Sequence, residues 1–296
     1  MREHVKLAAV GVDSRPGDLE GNLAKIDTWA GRAAEAGAEL ALYPELSLTG
    51  FIPNHPLGDH NQWLRAALRG AHEFAQPIPG PACDQLTGIA RRHGILVSAG
   101  LLEDAGNVLY NSQIIVGPEG VLGRWRKMHI PMFETPFYIG GDGPAVIDTP
   151  LGRLGVNICF DALLPESTRL LAVKGVEIVL FPFAADPPPV TPQGWRAWAE
   201  PALRCRCQEN GVFGLAANYV GTVEFAGVVQ SFPGGGIAIG PRGETLAEWT
   251  GFAGRPDMLV VEFSRAALRQ ARAEPEYLYR FRRPELYGPL AQSCPA

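Results

Sequence analysis

Residues 153–170, Arg-Leu-Gly-Val-Asn-Ile-Cys-Phe-Asp-Ala-Leu-Leu-Pro-Glu-Ser-Thr-Arg-Leu, decide how the rest of the chain is interpreted. The apolar run 154–158 predicts a short buried strand. Residues 165–174 predict a helix with Pro165 near its first position, where the missing N–H costs no hydrogen bond. Cys159 lies at the turn between them, where nearby backbone N–H groups can face a developing oxyanion. Cys159 is therefore a candidate nucleophile, although most free cysteines are small buried hydrophobic residues.

Two other predicted strands also end at a reactive side chain close to a proline. Glu45 follows Pro44 after the apolar run 40–43, and Lys127 closes the run 121–127. A free thiol has a pKa of about 8.5, so a nucleophilic cysteine needs a base, and a desolvated glutamate can supply one. A lysine beside the thiol favours the thiolate and then stabilises an oxyanion. Taken singly, each is best explained as a surface or salt-bridged residue, but together they predict a catalytic set.

The composition excludes several classes of protein. The 296 residues are 46% hydrophobic and 19% charged, which suffices for a substantial core. The net charge of −5 offers no general attraction for nucleic acid or an anionic membrane. No apolar run of about eighteen residues predicts a membrane span, and the N-terminal residues lack the apolar stretch of a signal peptide.

The five cysteines favour reduced thiols, and with them a cytoplasmic location, over a disulfide framework. They are few and scattered for a chain of this length: Cys83, Cys159, Cys205, Cys207 and Cys294. Cys205 and Cys207 have no second Cys or His pair at the spacing of a zinc site. We therefore expect no metal.

Hydrophobic periodicity predicts an α/β chain. Strands are expected at 5–12, 40–43, 95–102, 109–116, 121–127, 145–148, 154–158, 176–181, 212–218, 237–239, 245–249 and 258–263. Helices are expected at 19–36, 61–75, 82–93, 165–174 and 195–210, with a last one capped by Ser264. Asp18 is the expected N-cap of the first helix, and Gly37, Gly94 and Gly211 are expected to end the helices that precede them. Strands pair as hairpins in places and alternate with helices elsewhere, which favours a mixed sheet or two stacked sheets with helices outside. We predict one domain over residues 1–270, followed by a tail over residues 271–296.

Three segments of the chain resemble the signature blocks of the nitrilase superfamily, the carbon–nitrogen hydrolases. They occur in the family's order: Tyr-Pro-Glu-Leu-Ser-Leu-Thr-Gly-Phe (43–51), Arg-Lys-Met-His-Ile-Pro (126–131) and Gly-Val-Asn-Ile-Cys-Phe-Asp-Ala-Leu-Leu-Pro-Glu (155–166). The resemblance extends from the first strand to about residue 263. It implies an α/β four-layer sandwich of the α-β-β-α type and a cofactor-free active site.

The resemblance also implies roles for individual residues. Glu45 matches the general base, Lys127 the lysine that stabilises the oxyanion, and Cys159 the nucleophile. Glu134, in Pro-Met-Phe-Glu-Thr-Pro-Phe-Tyr, matches a second glutamate that would orient Lys127 or the attacking water. The backbone N–H of Phe160 would be the other oxyanion donor.

Other residues are candidates for the substrate pocket. His129 would share a strand face with Lys127, and the resemblance makes it a supporting residue. Phe183 stands where relatives carry a small Thr, so it is either an apolar wall or the cause of a narrowed acyl pocket. The proline-rich loop 184–192, which begins at Ala184, and Trp195 would line the rim.

The resemblance favours an amide substrate. Asp161 stands where nitrilases carry Glu, and Ala162 and Leu163 stand where D-amino-acid carbamoylases carry arginines. We therefore expect cleavage of a small linear amide to acid and ammonia through a Cys159 thioester. Hydrolysis of an N-carbamoyl amine or amino acid to carbon dioxide and ammonia is the alternative, followed by a nitrilase or, in another class, a non-catalytic binding or assembly member. Homo-oligomers are usual in the family, so a homodimer or larger assembly is expected, with the tail packed on a partner subunit.

Overall fold

The computed structural model describes residues 1–54, 60–249 and 255–292. Within these residues the α-helices are α1 Leu19–Glu35, α2 His60–Phe74, α3 Pro81–His93, α4 Pro165–Val173, α5 Pro192–Asn210 and α6 Arg265–Ala273. The strands are β1 His4–Gly11, β2 Leu40–Leu42, β3 Leu96–Asp104, β4 Leu109–Gly117, β5 Gly120–Arg126, β6 Ile147–Thr149, β7 Gly152–Val156, β8 Ile178–Phe183, β9 Phe213–Asn218, β10 Val220–Phe225, β11 Val228–Pro233, β12 Gly236–Ile239, β13 Thr245–Trp249 and β14 Asp257–Ser264.

The strands form two six-stranded sheets and a separate hairpin. The first sheet has the order β14-β1-β2-β3-β4-β5, and the second has the order β13-β12-β9-β8-β7-β6. In each sheet three neighbouring strands are parallel, β1-β2-β3 in the first and β7-β8-β9 in the second, and the outer pairs are antiparallel. The predicted mixture of crossovers and hairpins is therefore confirmed.

Strand β1 shows how the layers are stacked. Successive side chains of a strand point to opposite faces of its sheet. Leu7 and Ala9 belong to the core cluster shared with the second sheet, whereas Ala8 and Val10 belong to the cluster shared with α1 and α3. Both faces of the first sheet are thus buried, one against a sheet and one against helices.

Helices α4 and α5 cover the outer face of the second sheet. A Cβ atom at Gly155 of β7 would lie 2.9 Å from Leu171 of α4, and one at Gly214 of β9 would lie 2.6 Å from the Cys207 sulfur of α5. The layers therefore run helix, sheet, sheet, helix, and the expected α-β-β-α sandwich is confirmed.

Short-range signals located most helix ends correctly. The Asp18 side chain accepts a hydrogen bond from the Gly21 N–H at 3.0 Å and caps α1, as predicted. Gly94 and Gly211 end α3 and α5 in the left-handed conformation, with φ of 67° and 58°. Ser264 precedes α6, but its side chain makes no capping hydrogen bond.

Two expectations about the strands were wrong. Strand β7 ends at Val156 rather than reaching residue 158, and Cys159–Leu163 form a 3₁₀ turn. The hairpin β10-β11 was not predicted at all. Its two-residue turn places Ala226 and Gly227 at positive φ, and an alanine at the first of these positions is not a hairpin signal.

Some expectations fall on residues outside the described ranges. Residues 55–59 of the predicted loop 51–60 lie there, and so does Cys294. None of the described helices is long and apolar enough to span a lipid bilayer. The division into a domain over 1–270 and a tail over 271–296 stays a prediction.

Candidate active site

Three chain segments that leave the two sheets bring Glu45, Lys127 and Cys159 to one end of the sandwich. Glu45 follows β2, Lys127 follows β5, and Cys159 follows β7. The side chains of Glu45 and Lys127 are fully buried, and Cys159 is 8% exposed. Glu45 and Lys127 contact each other directly, and the charges of both act on the Cys159 thiol. The assignment of the three residues to one catalytic set stays a prediction.

The turn at Glu45 depends on a glycine in the neighbouring strand. Leu46 adopts a positive φ of 54°, which an L residue rarely does. A Cβ atom at Gly100 of β3 would lie 2.3 Å from the Leu46 nitrogen. Gly100 therefore lets the turn pack directly on the sheet, and its carbonyl accepts the Leu48 N–H at 2.8 Å. This packing fixes where the Glu45 side chain begins.

The ammonium of Lys127 lies between two carboxylates. Its Nζ donates to Glu45 Oε1 at 2.7 Å and to Glu134 Oε2 at 2.6 Å. The lysine backbone is held on both sides, because its N–H donates to the Asn111 carbonyl and its carbonyl accepts the Gly141 N–H, each at 2.8 Å. Glu134 thus contacts the lysine as expected of the second glutamate.

Each carboxylate has further donors. Asn111 Nδ2 donates to Glu45 Oε1 at 2.6 Å, and the Ala184 N–H donates to Glu45 Oε2 at 3.0 Å. The Tyr138 hydroxyl donates to Glu134 Oε2. Both glutamates are therefore fixed in orientation before any ligand binds.

Cys159 occupies a strained turn. Its φ is 49°, in the left-handed region that non-glycine residues seldom enter. Phe160 follows it near the start of the 3₁₀ turn, where backbone N–H groups have no partner within the helix. Such a position leaves the Phe160 N–H able to face an oxygen bound near the sulfur.

Burial and charge set the protonation states of this cluster. Burial, opposed by Lys127, raises the pKa of Glu45. Burial alone would lower the pKa of Lys127, but Glu134 and Glu45 outweigh it and raise that pKa well above its ordinary value. Burial and the Glu45 charge raise the pKa of the Cys159 thiol well above its ordinary value, although Lys127 opposes them. This direction favours a neutral thiol at rest, so the thiol needs a base in addition to Lys127.

The Asp161 side chain holds backbone groups of the site in place and does not line its cavity. Its carboxylate is 1% exposed and accepts the backbone N–H groups of Ile158, Met128 and His129. His129 Nδ1 also lies 2.8 Å from Asp161 Oδ1. His129 therefore supports the turn through Asp161, and it does not line the cavity described next.

A cavity of about 400 Å³ opens beside Glu134, and Ala184 lines it as expected. Phe183 and Trp195 do not line it. Both are fully buried, with ring centroids 5.8 Å apart, because β8 and α5 turn these side chains into the core. Trp198, three residues further along α5, lines the cavity instead and is 38% exposed.

Sequence reasoning missed several polar residues of the site. Asn111 begins a buried polar run, Asn-Ser-Gln (111–113), within β4, which is a usable signal, since a buried polar side chain needs a partner. Tyr138 stands four residues after Glu134 in the quoted segment. Asn54, Asp186 and Gln230 also line the cavity, and no local pattern marks them. In the described residues no group of three or more His, Cys, Asp or Glu side chains is arranged to hold a metal ion.

The fold is a four-layer sandwich, and a cysteine, a lysine and two glutamates lie at one end of it. This arrangement is the one expected of a thiol-dependent hydrolase. Residues 6–273 match the carbon–nitrogen hydrolase family, and the chain belongs to that family. It is thus a hydrolase of C–N bonds.

Individual relatives fall in more than one branch of the family. A nitrilase of Pyrococcus abyssi is 34% identical over 245 residues, which are 82% of this chain and 84% of the relative. An (R)-stereoselective amidase of Pseudomonas sp. is 31% identical over 276 residues, which are 93% and 90% of the two chains. The crystal structure of an amidase from Nesterenkonia sp. has a TM-score of 0.76 and 28% identity, covering 97% of each chain.

Proposed function

We propose that this protein hydrolyses small linear amides to a carboxylic acid and ammonia, with Cys159 as the nucleophile. The observation that carries the proposal is the Lys127 ammonium held at 2.7 and 2.6 Å from two buried carboxylates, Glu45 and Glu134. The same three charges act on the Cys159 thiol. A buried base, a cation and a thiol in one cluster are the groups that acyl transfer through a thioester requires.

In the first half of the reaction, Glu45 takes the thiol proton as the Cys159 sulfur bonds to the amide carbon. The raised pKa of Glu45 makes it a stronger base than an ordinary carboxylate, which favours this transfer. The carbonyl oxygen becomes an oxyanion stabilised by Lys127 and the Phe160 N–H. The C–N bond then breaks, Glu45 returns the proton to the leaving nitrogen, and ammonia departs.

In the second half, water attacks the Cys159 thioester. Glu45 takes a proton from the water as its oxygen bonds to the acyl carbon, and the same two donors hold the oxyanion. The C–S bond breaks, the sulfur regains a proton from Glu45, and the carboxylic acid leaves. Glu134 keeps the Lys127 ammonium in place through both halves.

The names of relatives support an amide substrate. One structure of the Nesterenkonia sp. amidase is a complex with acrylamide, and another has the acetamide moiety of fluoroacetamide added covalently at the active site cysteine. The Asp161 carboxylate is occupied by backbone donors, so its difference from the glutamate of nitrilases bears on the turn and not directly on the substrate.

A carbamoyl substrate is the second candidate. A citrullinase of Francisella tularensis is 29% identical over 98% of this chain, and an N-carbamoylputrescine amidase of Solanum lycopersicum is 28% identical over 92% of it. A carbamoyl group offers the same carbonyl carbon to Cys159 and would release carbon dioxide as well as ammonia.

The test is a panel of amides, N-carbamoyl compounds and nitriles assayed for ammonia and carbon dioxide. We expect ammonia without carbon dioxide from amides, and no turnover by Cys159→Ala. Cys205→Ala is the matched control, because Cys205 is exposed and should be dispensable. Iodoacetamide should label Cys159 and stop turnover. Full activity in Cys159→Ala would overturn the mechanism, and no turnover of any compound would favour a binding or assembly role.

We also propose that the tail packs on a second copy of this chain in a homo-oligomer. Three of its apolar side chains, Leu278, Phe281 and Leu290, are 52%, 64% and 72% exposed. Isolated exposed apolar residues are common, but several on one short segment favour a contact surface. Truncation after Ala273 should reduce the oligomer mass measured by light scattering, and an unchanged mass would contradict this proposal.

We propose a cytoplasmic location because of the state of the cysteines. The described cysteines are free: Cys83, Cys159, Cys205 and Cys207. A mechanism that needs a thiol is favoured where thiols stay reduced. Fractionation of the cells that make the protein would test this.

A further inference from the structure

A buried arginine holds the far end of the turn that carries Cys159, and the proposed mechanism assigns it no role. Arg206 lies on α5 and is 9% exposed. Its Nε donates to the Ala162 carbonyl at 3.2 Å, and its Nη2 donates to the Leu163 carbonyl at 3.1 Å. These two carbonyls belong to the last residues of the 3₁₀ turn Cys159–Leu163. One guanidinium group therefore ties the C-terminal end of the cysteine turn to a helix of the outer layer.

The sequence of the turn explains why a side chain supplies these donors. In a 3₁₀ turn each carbonyl accepts the N–H of the third residue after it. For Ala162 that residue is Pro165, which has no N–H. Carbonyl groups at the end of a helical turn also carry partial negative charge, so a cation there is favourable. The guanidinium of Arg206 meets both needs, since it is a cation with several N–H donors in one plane.

The charge of Arg206 is compensated within α5. Its Nη1 donates to Glu209 Oε1 at 3.0 Å, three residues further along the helix. A buried charge without such a partner would be costly. The Glu209 backbone carbonyl in turn accepts from Arg169 Nη1 of α4 at 2.9 Å. Each guanidinium nitrogen of Arg206 thus has a partner, and the group is fixed in the orientation that reaches the turn.

The turn needs such anchors because its backbone is strained. Cys159 adopts a φ of 49°, and a conformation of this kind persists only where the surrounding structure enforces it. Asp161 enforces it from the N-terminal side, where its carboxylate accepts the Ile158 N–H at 3.2 Å. Arg206 is the corresponding anchor on the C-terminal side. Without one of these anchors the turn can relax and carry the sulfur away from the carboxylate and the ammonium that act on it.

We propose that Arg206 is a positioning residue for the hydrolysis, acting through the backbone of the Cys159 turn. This inference rests on the proposed role of Cys159 as the nucleophile, and it adds a residue of α5 to those on which the reaction depends. With the turn held at both ends, the Cys159 sulfur and the Phe160 N–H keep a fixed relation to each other. The carbonyl carbon and the oxyanion of one substrate can then meet both groups at once.

The experiment compares Arg206→Met with Arg204→Met. Methionine is a flexible apolar side chain that donates no hydrogen bond. Arg204 is the matched control, because it lies on the same helix and its Nε donates to the Gly243 carbonyl at 2.7 Å rather than to the turn. We expect kcat to fall by about tenfold to a hundredfold in Arg206→Met, with little change in KM, because misplacement of reacting groups is costly. Arg204→Met should keep both constants.

The rate at which iodoacetamide alkylates Cys159 is a readout that a merely structural role would not move. It is measured on folded protein, by mass spectrometry of the peptide that contains Cys159. We expect alkylation to be about tenfold slower in Arg206→Met than in wild type, because the sulfur lies farther from its base. Arg206→Lys should lie between the two, since a lysine keeps the charge but lacks the planar set of donors. If Arg206→Met does not fold, Arg206→Lys takes its place in both measurements.

The outcomes separate this inference from the proposed function. A folded Arg206 variant that is alkylated at Cys159 as fast as wild type or faster would overturn the positioning role and leave amide hydrolysis standing. Equal losses in Arg206→Met and Arg204→Met would also overturn it, since they would reflect general damage to α5. If no amide or carbamoyl compound is turned over more than by Cys159→Ala, the proposed function itself fails, and the alkylation rates still decide whether Arg206 positions the sulfur.

Discussion

Asp161 accepts the backbone N–H of His129 at 2.9 Å and so joins the segment that carries Lys127 to the turn that carries Cys159. The same carboxylate accepts the Ile158 N–H at 3.2 Å, one residue before the cysteine. One buried side chain therefore sets the relative position of the proposed nucleophile and the proposed oxyanion-stabilising cation. Asp161 is a positioning residue, because it contacts backbone groups.

Replacing Asp161 by alanine should reduce both rate and stability. Several backbone N–H groups would lose their acceptor, at a cost of about 1–3 kcal/mol each where they stay buried. We expect kcat to fall by about tenfold to a hundredfold, because misplacement of reacting groups is costly. KM should change little. Steady-state kinetics and urea unfolding would measure this, with Asp148→Ala as an exposed control.

Asp161→Asn should lie between wild type and Asp161→Ala, since it keeps one acceptor oxygen. A purely structural role would lower stability without altering the reactivity of the folded enzyme. The rate of Cys159 alkylation by iodoacetamide in the folded variant is the deciding readout. An unchanged alkylation rate and an unchanged kcat would contradict the positioning role.

The His129 and Asp161 pair should make stability depend on pH. The hydrogen bond to Asp161 raises the pKa of His129. The pair therefore contributes fully below the unfolded pKa of about 6.5, and its contribution is lost as pH rises through the higher pKa of the folded state. Because His129 is partly exposed, with a side chain 35% accessible, we expect under about 1 kcal/mol.

The measurement compares wild type with His129→Gln, which carries no charge at any pH. The difference in unfolding free energy should be larger at pH 6 than at pH 9. A difference that grows with pH would have the opposite sign and would show that the charged imidazole is not stabilised by Asp161. His72→Gln is a suitable control, because His72 is exposed on α2.

Removing Lys127 should destabilise the protein as well as inactivate it. Lys127→Met leaves Glu45 and Glu134 buried without their cation, and breaking a buried pair costs about 3–5 kcal/mol. The pKa of Glu45 is already raised by burial, and it should rise further without the lysine. A carboxyl group whose pKa is higher in the folded state than in the unfolded state stabilises the fold at pH values below its unfolded pKa of about 4.3. This contribution is lost as the pH rises through the pKa of the folded state.

The loss of stability in Lys127→Met should therefore be greater at pH 8 than near pH 4.5. Chemical unfolding at the two values of pH measures it. Lys174→Met is the matched control, because the Lys174 side chain is exposed and donates to the Pro144 carbonyl. An equal loss at both values of pH would mean that Glu45 takes up no proton when the lysine is absent.

Asn111 should tune the pH dependence of the rate. Its Nδ2 donates to Glu45 Oε1 at 2.6 Å, and this hydrogen bond favours the ionised carboxylate and lowers the pKa of Glu45. Asn111→Leu removes the donor, so the pKa of Glu45 should rise. If ionised Glu45 is the base, the acid limb of kcat/KM against pH should move up by about one pH unit.

Gln113→Leu is the matched control for this profile. Gln113 lies two residues further along β4, and its side chain donates to the Tyr43 carbonyl and to Ser98 rather than to Glu45. Its acid limb should stay at the wild-type position. An acid limb that also stays in place in Asn111→Leu would exclude Glu45 as the group that controls it.

Much of the fold was predictable because its signals are local. The Asp18 cap and the Gly94 and Gly211 helix ends were found from neighbouring residues alone, since capping depends on a few consecutive dihedral angles. The hairpin β10-β11 was not found, since Ala226 takes a positive φ that its own sequence does not favour. That conformation is set by the pairing of the two strands.

By itself, the sequence indicated the family, and turn and strand signals singled out Glu45, Lys127 and Cys159. Glu134 was identified by the resemblance to the family alone. The tertiary structure alone decided which polar groups surround them. Asn111 reaches Glu45 across 66 residues of chain, and Ala184 reaches it across 139. It also turned Trp195 inward and Trp198 toward the cavity. Contacts of this kind depend on how two sheets stack and how helices are rotated against them. Local sequence does not determine either arrangement.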